Sequence, residues 1–109
     1  MASEVLKVSL TATVTALERK LIDGASGHTY TVLSITICET AGAAEVFDLY
    51  VINDGGGTDN YIYKAQALGA NETFEHTGRI VLEGTDELGF ITGGSANVDV
   101  TVSYLDQTL

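Results

Sequence analysis

The side chains best suited to nucleophilic or acid–base chemistry are few in this chain, and they lie far apart. His28 and His76 are the two histidines, and each lies beside a turn-forming stretch. Cys38 is the single cysteine and lies in a run of β-branched residues, where we expect it to pack as a small apolar side chain. A reactive thiol needs a nearby histidine or cation that favours the thiolate, and the neighbouring residues provide neither. One cysteine also excludes an internal disulfide framework and a multi-cysteine zinc site.

Pairs of carboxylates are the second candidate for chemistry. Glu72 lies close to Glu75, and Asp86 is followed by Glu87. Glycoside hydrolases place two carboxyl groups around the scissile bond, but acids beside turns are usually solvated charges. The sequence has no Gly-x-Ser-x-Gly elbow, no His-Glu-x-x-His helix and no phosphate-binding glycine loop. We therefore expect no catalytic residue, no enzymatic activity and no cofactor.

The glycine-rich loop at 54–60, Asp-Gly-Gly-Gly-Thr-Asp-Asn, superficially suggests calcium. It lacks the alternating acids and the closing glutamate of an EF-hand loop. It also misses the Gly-Gly-x-Gly-x-Asp repeat, because Thr58 stands where a glycine is needed. The sequence therefore predicts a surface loop and no metal site.

Two apolar segments at the centre of the chain are predicted to form the strands around which the other elements pack. Residues 30–38 and 45–52 are rich in β-branched and aromatic side chains, and both end at small or turn-forming residues, which is typical of long neighbouring strands. Successive strand side chains alternate between the two faces of a sheet. We therefore expect one face of each segment to form the centre of the core, with Leu33, Ile35 and Ile37 from the first and Phe47, Leu49 and Val51 from the second.

The remaining segments also read as strands. Residues 5–16 alternate strictly, with Leu6, Val8 and Leu10 on one side and hydroxyl and lysine side chains on the other, which predicts a strand with one wet face. Counting the extended segments gives about eight strands and no convincing helix. The sequence thus predicts an all-β fold, an antiparallel β-sandwich of jelly-roll-like form, as a single domain over 1–109. Residues 1–17 are either an edge strand of that domain or an N-terminal arm that pairs with a neighbouring subunit.

Composition and charge narrow the possible partners. The chain has 109 residues, of which 45% are hydrophobic, and fifteen carboxylates against five Lys and Arg give a net charge of −10. No cluster of cations is available to displace counterions from phosphates, so we expect no nucleic acid and no anionic membrane as a partner. The first residues lack the charged and apolar regions of a secretion signal, and no apolar stretch approaches membrane-spanning length. We expect a protein made in the cytoplasm of its host cell.

The order of the segments resembles the small all-β virion proteins of tailed-phage structural gene clusters. The resemblance covers about residues 18–105. The segments that carry it are YTV at 30–32, CET at 38–40, FDLYVI at 47–52, YIY at 61–63, LGANETF at 68–74, VLEGTD at 81–86 and VDVTVS at 98–103. The chain departs from the family's pattern in two loops: Gly84-Thr85-Asp86 is one residue longer than the usual Gly-Asp turn, and 24–27 lacks the proline that relatives often use.

This resemblance implies a structural, non-enzymatic role in a virion. Such proteins decorate or cement a capsid, commonly as homotrimers bound to the major capsid protein at local threefold positions, or they belong to the tail. The residues we expect on an interaction surface are Tyr61 and Tyr63, predicted to share one side of their strand, together with Val8 and Leu10. Two alternatives stay open. One is a tail or fibre module that binds a receptor or glycan on the two tyrosines, and the other is a subunit of a non-viral shell or pilus-like assembly.

Overall fold

A computed structural model of the chain describes residues 2–13, 17–93 and 97–108. These ranges contain nine strands and one short 3₁₀ turn at Asn53–Gly55. The strands are β1 (Ser3–Thr13), β2 (Arg19–Asp23), β3 (His28–Glu39), β4 (Glu45–Ile52), β5 (Asp59–Leu68), β6 (Thr73–His76), β7 (Ile80–Glu83), β8 (Glu87–Thr92) and β9 (Val98–Thr108). Residues 14–16 of the predicted first strand, and most of the predicted reversal at 93–95, lie outside the described ranges. Within those ranges, no helix has the length and apolar character needed to cross a membrane.

The strands form two antiparallel sheets that pack face to face. Sheet A has the order β1-β9-β3-β6, and β7 also pairs with β3; sheet B has the order β2-β8-β4-β5. Every pairing is antiparallel, and non-sequential neighbours such as β1 and β9 give the jelly-roll-like topology that the strand pattern predicted. The prediction of an all-β sandwich is confirmed, with one strand more than the count of about eight.

The core lies between the inner faces of the two sheets and is centred on Phe47. Its ring packs against Phe90 at 5.6 Å, Phe74 at 5.3 Å and Tyr63 at 6.0 Å between ring centroids. Phe47 and Phe90 come from sheet B, whereas Phe74 comes from sheet A, so the aromatic cluster joins the two layers. The edge-on pairs of Phe47 with Phe74 and Tyr63 add to the stabilisation from buried area. Of the six residues predicted at the centre of the core, five contact it: Ile35, Ile37, Phe47, Leu49 and, only partly buried, Val51.

Leu33 is the exception, and the prediction that it lies in the core is wrong. The register of β3 against β9 shifts between Val32 and Ser34, which marks a β-bulge. A bulge inserts one extra residue and exchanges the faces on which the following side chains lie. Val32 is therefore buried before the bulge and Ile35 after it, while Leu33 remains 38% exposed on the outer face of sheet A.

Strand β1 is an edge strand of its own sandwich. It pairs with β9 over its full length, from Ser3 opposite Thr108 to Thr13 opposite Val98, without a register shift. The polar side of the strand points towards sheet B, because the Ser9 hydroxyl donates to the Leu21 carbonyl at 2.8 Å. The apolar side therefore faces solvent, which is the reverse of the usual arrangement of a strand with one wet face.

Candidate interaction surface

The outer face of sheet A carries an apolar strip formed by Leu6, Val8, Leu10 and Leu33. Leu6 is 74% exposed, Leu10 75% and Val8 57%. Two of the strip residues of β1 lie beside short side chains of β9, since Val8 is opposite Ser103 and Leu10 is opposite Thr101, whereas Leu6 is opposite Leu105. Larger side chains beside smaller ones leave shallow grooves. One of about 390 Å³ lies between Leu6, Val8 and Leu33 above Ser103, and one of about 330 Å³ lies beside Leu10 and Thr101.

The apolar strip is uncharged in a strongly acidic protein. None of its four side chains ionises, and their partners on β9, Leu105, Ser103 and Thr101, carry no charge either. Asp99, opposite Ala12, is the acid that borders the strip on β9. A contiguous exposed apolar surface with a polar rim is a mark of a contact site in a soluble protein. The arrangement suits burial against another surface, and it offers no group for a chemical step.

The structure separates Tyr61 and Tyr63, so the prediction that they share one side of β5 is wrong. The β4–β5 register shifts twice, between Phe47 and Leu49 and between Leu49 and Tyr50, and at each shift β5 contributes one residue more than β4. Tyr61 is therefore opposite Tyr50 on the outer face of sheet B, whereas Tyr63 is opposite Leu49 and points into the core. The extra residues are not visible in a period-two pattern.

The two tyrosines have different surroundings as a result. Tyr61 is 48% exposed, lies 5.4 Å from the Tyr50 ring and has the Lys64 ammonium 4.5 Å above its centroid. Tyr63 is half-buried, and its hydroxyl lies 2.8 Å from Nδ1 of His76. Of the four residues expected on an interaction surface, Val8 and Leu10 lie together on sheet A, Tyr61 lies on the opposite side of the sandwich, and Tyr63 belongs to the core packing.

Glu39 is a structural carboxylate that the sequence reading did not identify. Its Oε1 accepts hydrogen bonds from the backbone N–H groups of Gly42 at 2.8 Å, Ala43 at 3.1 Å and Asn71 at 2.9 Å, and its Oε2 accepts from Ala41 at 2.8 Å. These bonds, first of all that from Asn71, hold the pKa of the buried Glu39 carboxyl below its usual value. The carboxylate thereby ties the β3–β4 loop to the β5–β6 turn. An acid two residues before an Ala-Gly-Ala-Ala run is the sequence signal for such a site.

Asp106 fastens the edge strand to the rest of sheet A. Its buried carboxylate accepts from the Lys7 ammonium at 2.7 Å and from Nδ1 of His28 at 2.7 Å. The hydrogen bonds from Lys7 and His28 lower the pKa of Asp106. The same hydrogen bond to Asp106 raises the pKa of Lys7. One carboxylate therefore connects β1, β3 and β9, and His28 has a structural role at this position.

Tyr50 packs against Gly89 on the outer face of sheet B. A Cβ atom at Gly89 would lie 2.4 Å from Cε2 of Tyr50, so the ring lies directly on the backbone of β8. The Tyr50 hydroxyl donates to the Glu18 carboxylate. Burial of the ring and the hydrogen bond to Glu18 both raise the pKa of Tyr50. Lys20 completes the group, with its ammonium 3.0 Å from Glu87 and 3.8 Å from Glu18.

The glycine-rich loop is held by a neighbouring carboxylate. Asp86 accepts from the backbone N–H groups of Asp54 and Glu83, both at 3.1 Å. Its oxygens are thus committed to fixing two loops at one end of the sandwich. In the part of the chain that the structure describes, no three His, Cys, Asp or Glu side chains are grouped so that they could hold a metal ion.

Comparison with known proteins identifies a shared fold. No protein family and no curated protein sequence matches the chain. Among solved structures, a pilus protein of Bacillus endospore appendages, described as disulfide-linked pili, matches with a TM-score of 0.60 and 13% identity over 100% of this chain and 91% of that one. The core of Drosophila NLP, studied for pentamer formation and histone binding, matches with a TM-score of 0.57 and 14% identity over 91% and 95%.

A bacteriophage capsid structure also has this fold. The capsid of a Helicobacter pylori bacteriophage contains a chain that matches with a TM-score of 0.55 and 12% identity, over 100% of this chain and 94% of that one. At these identities the similarity establishes the fold. The solved structures with this fold include viral capsid and pilus proteins.

Proposed function

We propose that this protein is a non-enzymatic structural protein of a tailed-phage virion, a capsid decoration or cement protein that binds the major capsid protein and stabilises its lattice. The observation that carries the proposal is the apolar strip, because Leu6 and Leu10 each expose about three quarters of their surface on the outer face of sheet A. Exposed apolar surface of this kind is stabilised when a partner covers it.

Three further features support the same role. The order of strand motifs resembles small all-β virion proteins, and the fold is shared over nearly the full length of a phage capsid chain. The net charge of −10 disfavours nonspecific association and contact with nucleic acid. A rigid double sheet with loops at its ends suits repeated contacts on a symmetric lattice, where many weak contacts add.

The proposed partner chemistry is specific. The strip requires an apolar, uncharged surface on the capsid protein, and the acidic remainder of the molecule stays in solvent. We propose a homotrimer at the local threefold positions of the capsid, in which three copies of the strip contact one set of capsid subunits. The virion is then the location of the protein.

The test uses capsids from which the protein has been removed. We expect such capsids to assemble but to release DNA at lower temperature or at low salt, and re-added protein should restore the resistance. Leu10→Glu should lose binding and protection, because it places a charge on the strip. Leu17→Glu is the matched control, since Leu17 is 60% exposed in a loop and the added charge is the same. Equal thermal survival of stripped and complete particles would remove the proposal.

A pilus-like subunit is the second candidate, and the fold match to the Bacillus appendage protein favours it. That appendage is described as disulfide-linked. With Cys38 as the single cysteine of this chain, a disulfide can join at most two copies, so a covalently linked filament is excluded for these 109 residues. Electron microscopy of the purified protein distinguishes the candidates, because filaments would favour the pilus-like subunit.

The glycan-binding alternative loses the paired platform on which it was based. Tyr61 and Tyr63 lie on opposite faces of β5, so they cannot stack against one sugar ring together. Tyr61 is the exposed member of the pair. A glycan-array screen of the protein and of Tyr61→Ala remains the direct test of binding at that position.

A further inference from the structure

The four sheet edges in the described part of the sandwich differ in how well they resist pairing with another strand. The edge formed by β6 and β7 consists of two four-residue strands, and β2 has five residues with a register shift. Strand β5 is longer, but it carries two bulges and a left-handed backbone at Ala65, where φ is 51°. Short strands and bulges are the usual means by which proteins block their edges.

Strand β1 lacks these protections. It has eleven residues and pairs with β9 in one uninterrupted register, and no other strand in the described ranges pairs with it. Four of its exposed side chains, Val5, Leu6, Val8 and Leu10, are large and apolar, and none of its residues is proline. A long, regular and apolar edge is a template for strand addition. The contrast with the blocked edges indicates that β1 is used for pairing.

We propose that the free edge of β1 pairs antiparallel with β1 of a second copy of this chain, with Val8 opposite Val8. In this register Leu6 lies opposite Leu10 of the second copy, and Lys7 lies opposite Ser9. Apolar side chains therefore meet apolar side chains on the outer face, which is the stabilising type of cross-strand pair. The strand is close to self-complementary about Val8, as a twofold contact requires.

Neighbouring registers are less favourable. A shift of one residue would place the apolar face of one copy against the hydroxyl face of the other, because side chains alternate. A shift that centres the pair on Lys7 would set two ammonium groups opposite each other. A shift that centres it on Ser9 would pair Leu6 with Ala12 and shorten the overlap. The register centred on Val8 pairs the whole of β1 and opposes no like charges.

Charge also favours this edge as the place where two acidic chains can meet. Strand β1 contains one acid, Glu4, and one base, Lys7, so it is neutral in a chain of net charge −10. The Lys7 ammonium is already paired with Asp106 in its own copy. Repulsion between the two copies then comes from more distant charges, which are screened beyond ~8 Å at about 0.15 M salt. Dimer formation should therefore increase as salt is raised from low concentration.

This contact goes beyond the proposed function and does not depend on it. A twofold axis perpendicular to the sheet places the apolar strips of both copies on the same side, as one continuous band. Each chain has a single β1 edge, so the pairing can join two free chains or one chain from each of two neighbouring trimers. Its test needs only the purified protein.

Disulfide trapping reports the register directly. In a Cys38→Ala background, Val8→Cys should give a disulfide-linked dimer on mild oxidation, because opposed Cα atoms lie about 4.5–5.5 Å apart across an antiparallel pair and disulfides span ~4.4–6.8 Å. Leu6→Cys alone should not, since the two copies of residue 6 would be separated by four residues, or about 13 Å along the strand. A chain with both Leu6→Cys and Leu10→Cys should dimerise again, because each new cysteine then faces its counterpart.

Val81→Cys is the control for random collision, since Val81 is 61% exposed at the far edge of sheet A. We expect at least a tenfold faster dimer formation for Val8→Cys than for Val81→Cys or Leu6→Cys at equal concentration. The same rate in all three single variants would refute the pairing, as would an absence of dimer both in Val8→Cys and in the double variant. A failed capsid-binding test with successful trapping would refute the proposed function alone.

Discussion

The β-bulge in β3 makes a specific prediction about Leu33 and Ile35, which lie two residues apart. Regular alternation treats Leu33 and Ile35 as equivalent core residues, whereas in the structure Leu33 is 38% exposed and Ile35 is 0% exposed. The bulge between Val32 and Ser34 is the cause of the difference. Replacing each residue by alanine therefore tests whether the bulge is present.

The magnitudes follow from burial. Ile35→Ala removes methyl groups from a closed core and leaves a cavity, which costs about 2–5 kcal/mol of unfolding free energy. Leu33→Ala removes atoms that are partly in water and leaves no closed cavity. Full burial of a leucine side chain contributes about 1.5–3 kcal/mol to the free energy of unfolding. Because Leu33 is only partly buried, Leu33→Ala should lower this free energy by about 1 kcal/mol. In a domain of this size, 1 kcal/mol corresponds to about 4–8 °C in Tm.

Urea and thermal unfolding followed by far-ultraviolet circular dichroism will measure both variants, since the chain has no tryptophan for fluorescence. We expect Ile35→Ala to lower Tm by at least about 10 °C and Leu33→Ala by about 5 °C or less. The urea m-value should be unchanged in both, because it follows the surface exposed on unfolding. An equal loss in the two variants would contradict the bulge and the assignment of Leu33 to the apolar strip.

Two further predictions concern polar and glycine positions. Glu39→Gln should lower Tm by several degrees at pH 7, because an amide NH₂ group would face a backbone N–H that the carboxylate now accepts. The pKa of Glu39 is depressed in the folded state, so the stability that its carboxylate contributes is complete above the ordinary pKa near 4.5 and is lost as pH falls through the folded pKa. The Tm difference between Glu39→Gln and wild type should therefore shrink in acid. A difference that grows in acid would contradict this. Gly89→Ala should cost about 1–3 kcal/mol, because its Cβ would lie 2.4 Å from the Tyr50 ring. Thermal unfolding of Gly89→Ala beside the Tyr50→Leu, Gly89→Ala double variant checks the cause, and no relief in the double variant would exclude the ring contact.

Period-two patterning identified the strands because alternation is a local property of an extended chain. Val98, Val100 and Val102, for example, are buried in β9 as the pattern requires. Net charge and the single cysteine are likewise properties of the sequence, and the expectations about partners and covalent chemistry rest on them. The fold class was accessible at this level.

Tertiary structure decided which side of each strand is covered. The bulges in β3 and β5 place Leu33 outside and separate Tyr61 from Tyr63, and a bulge has no signature in hydrophobic period. The bonds of Glu39 to Asn71 and of Lys7 to Asp106 join residues far apart in sequence, so only folding creates them. Whether the apolar side of β1 faces the core or solvent depends on which side sheet B covers, and sheet B lies against the polar side.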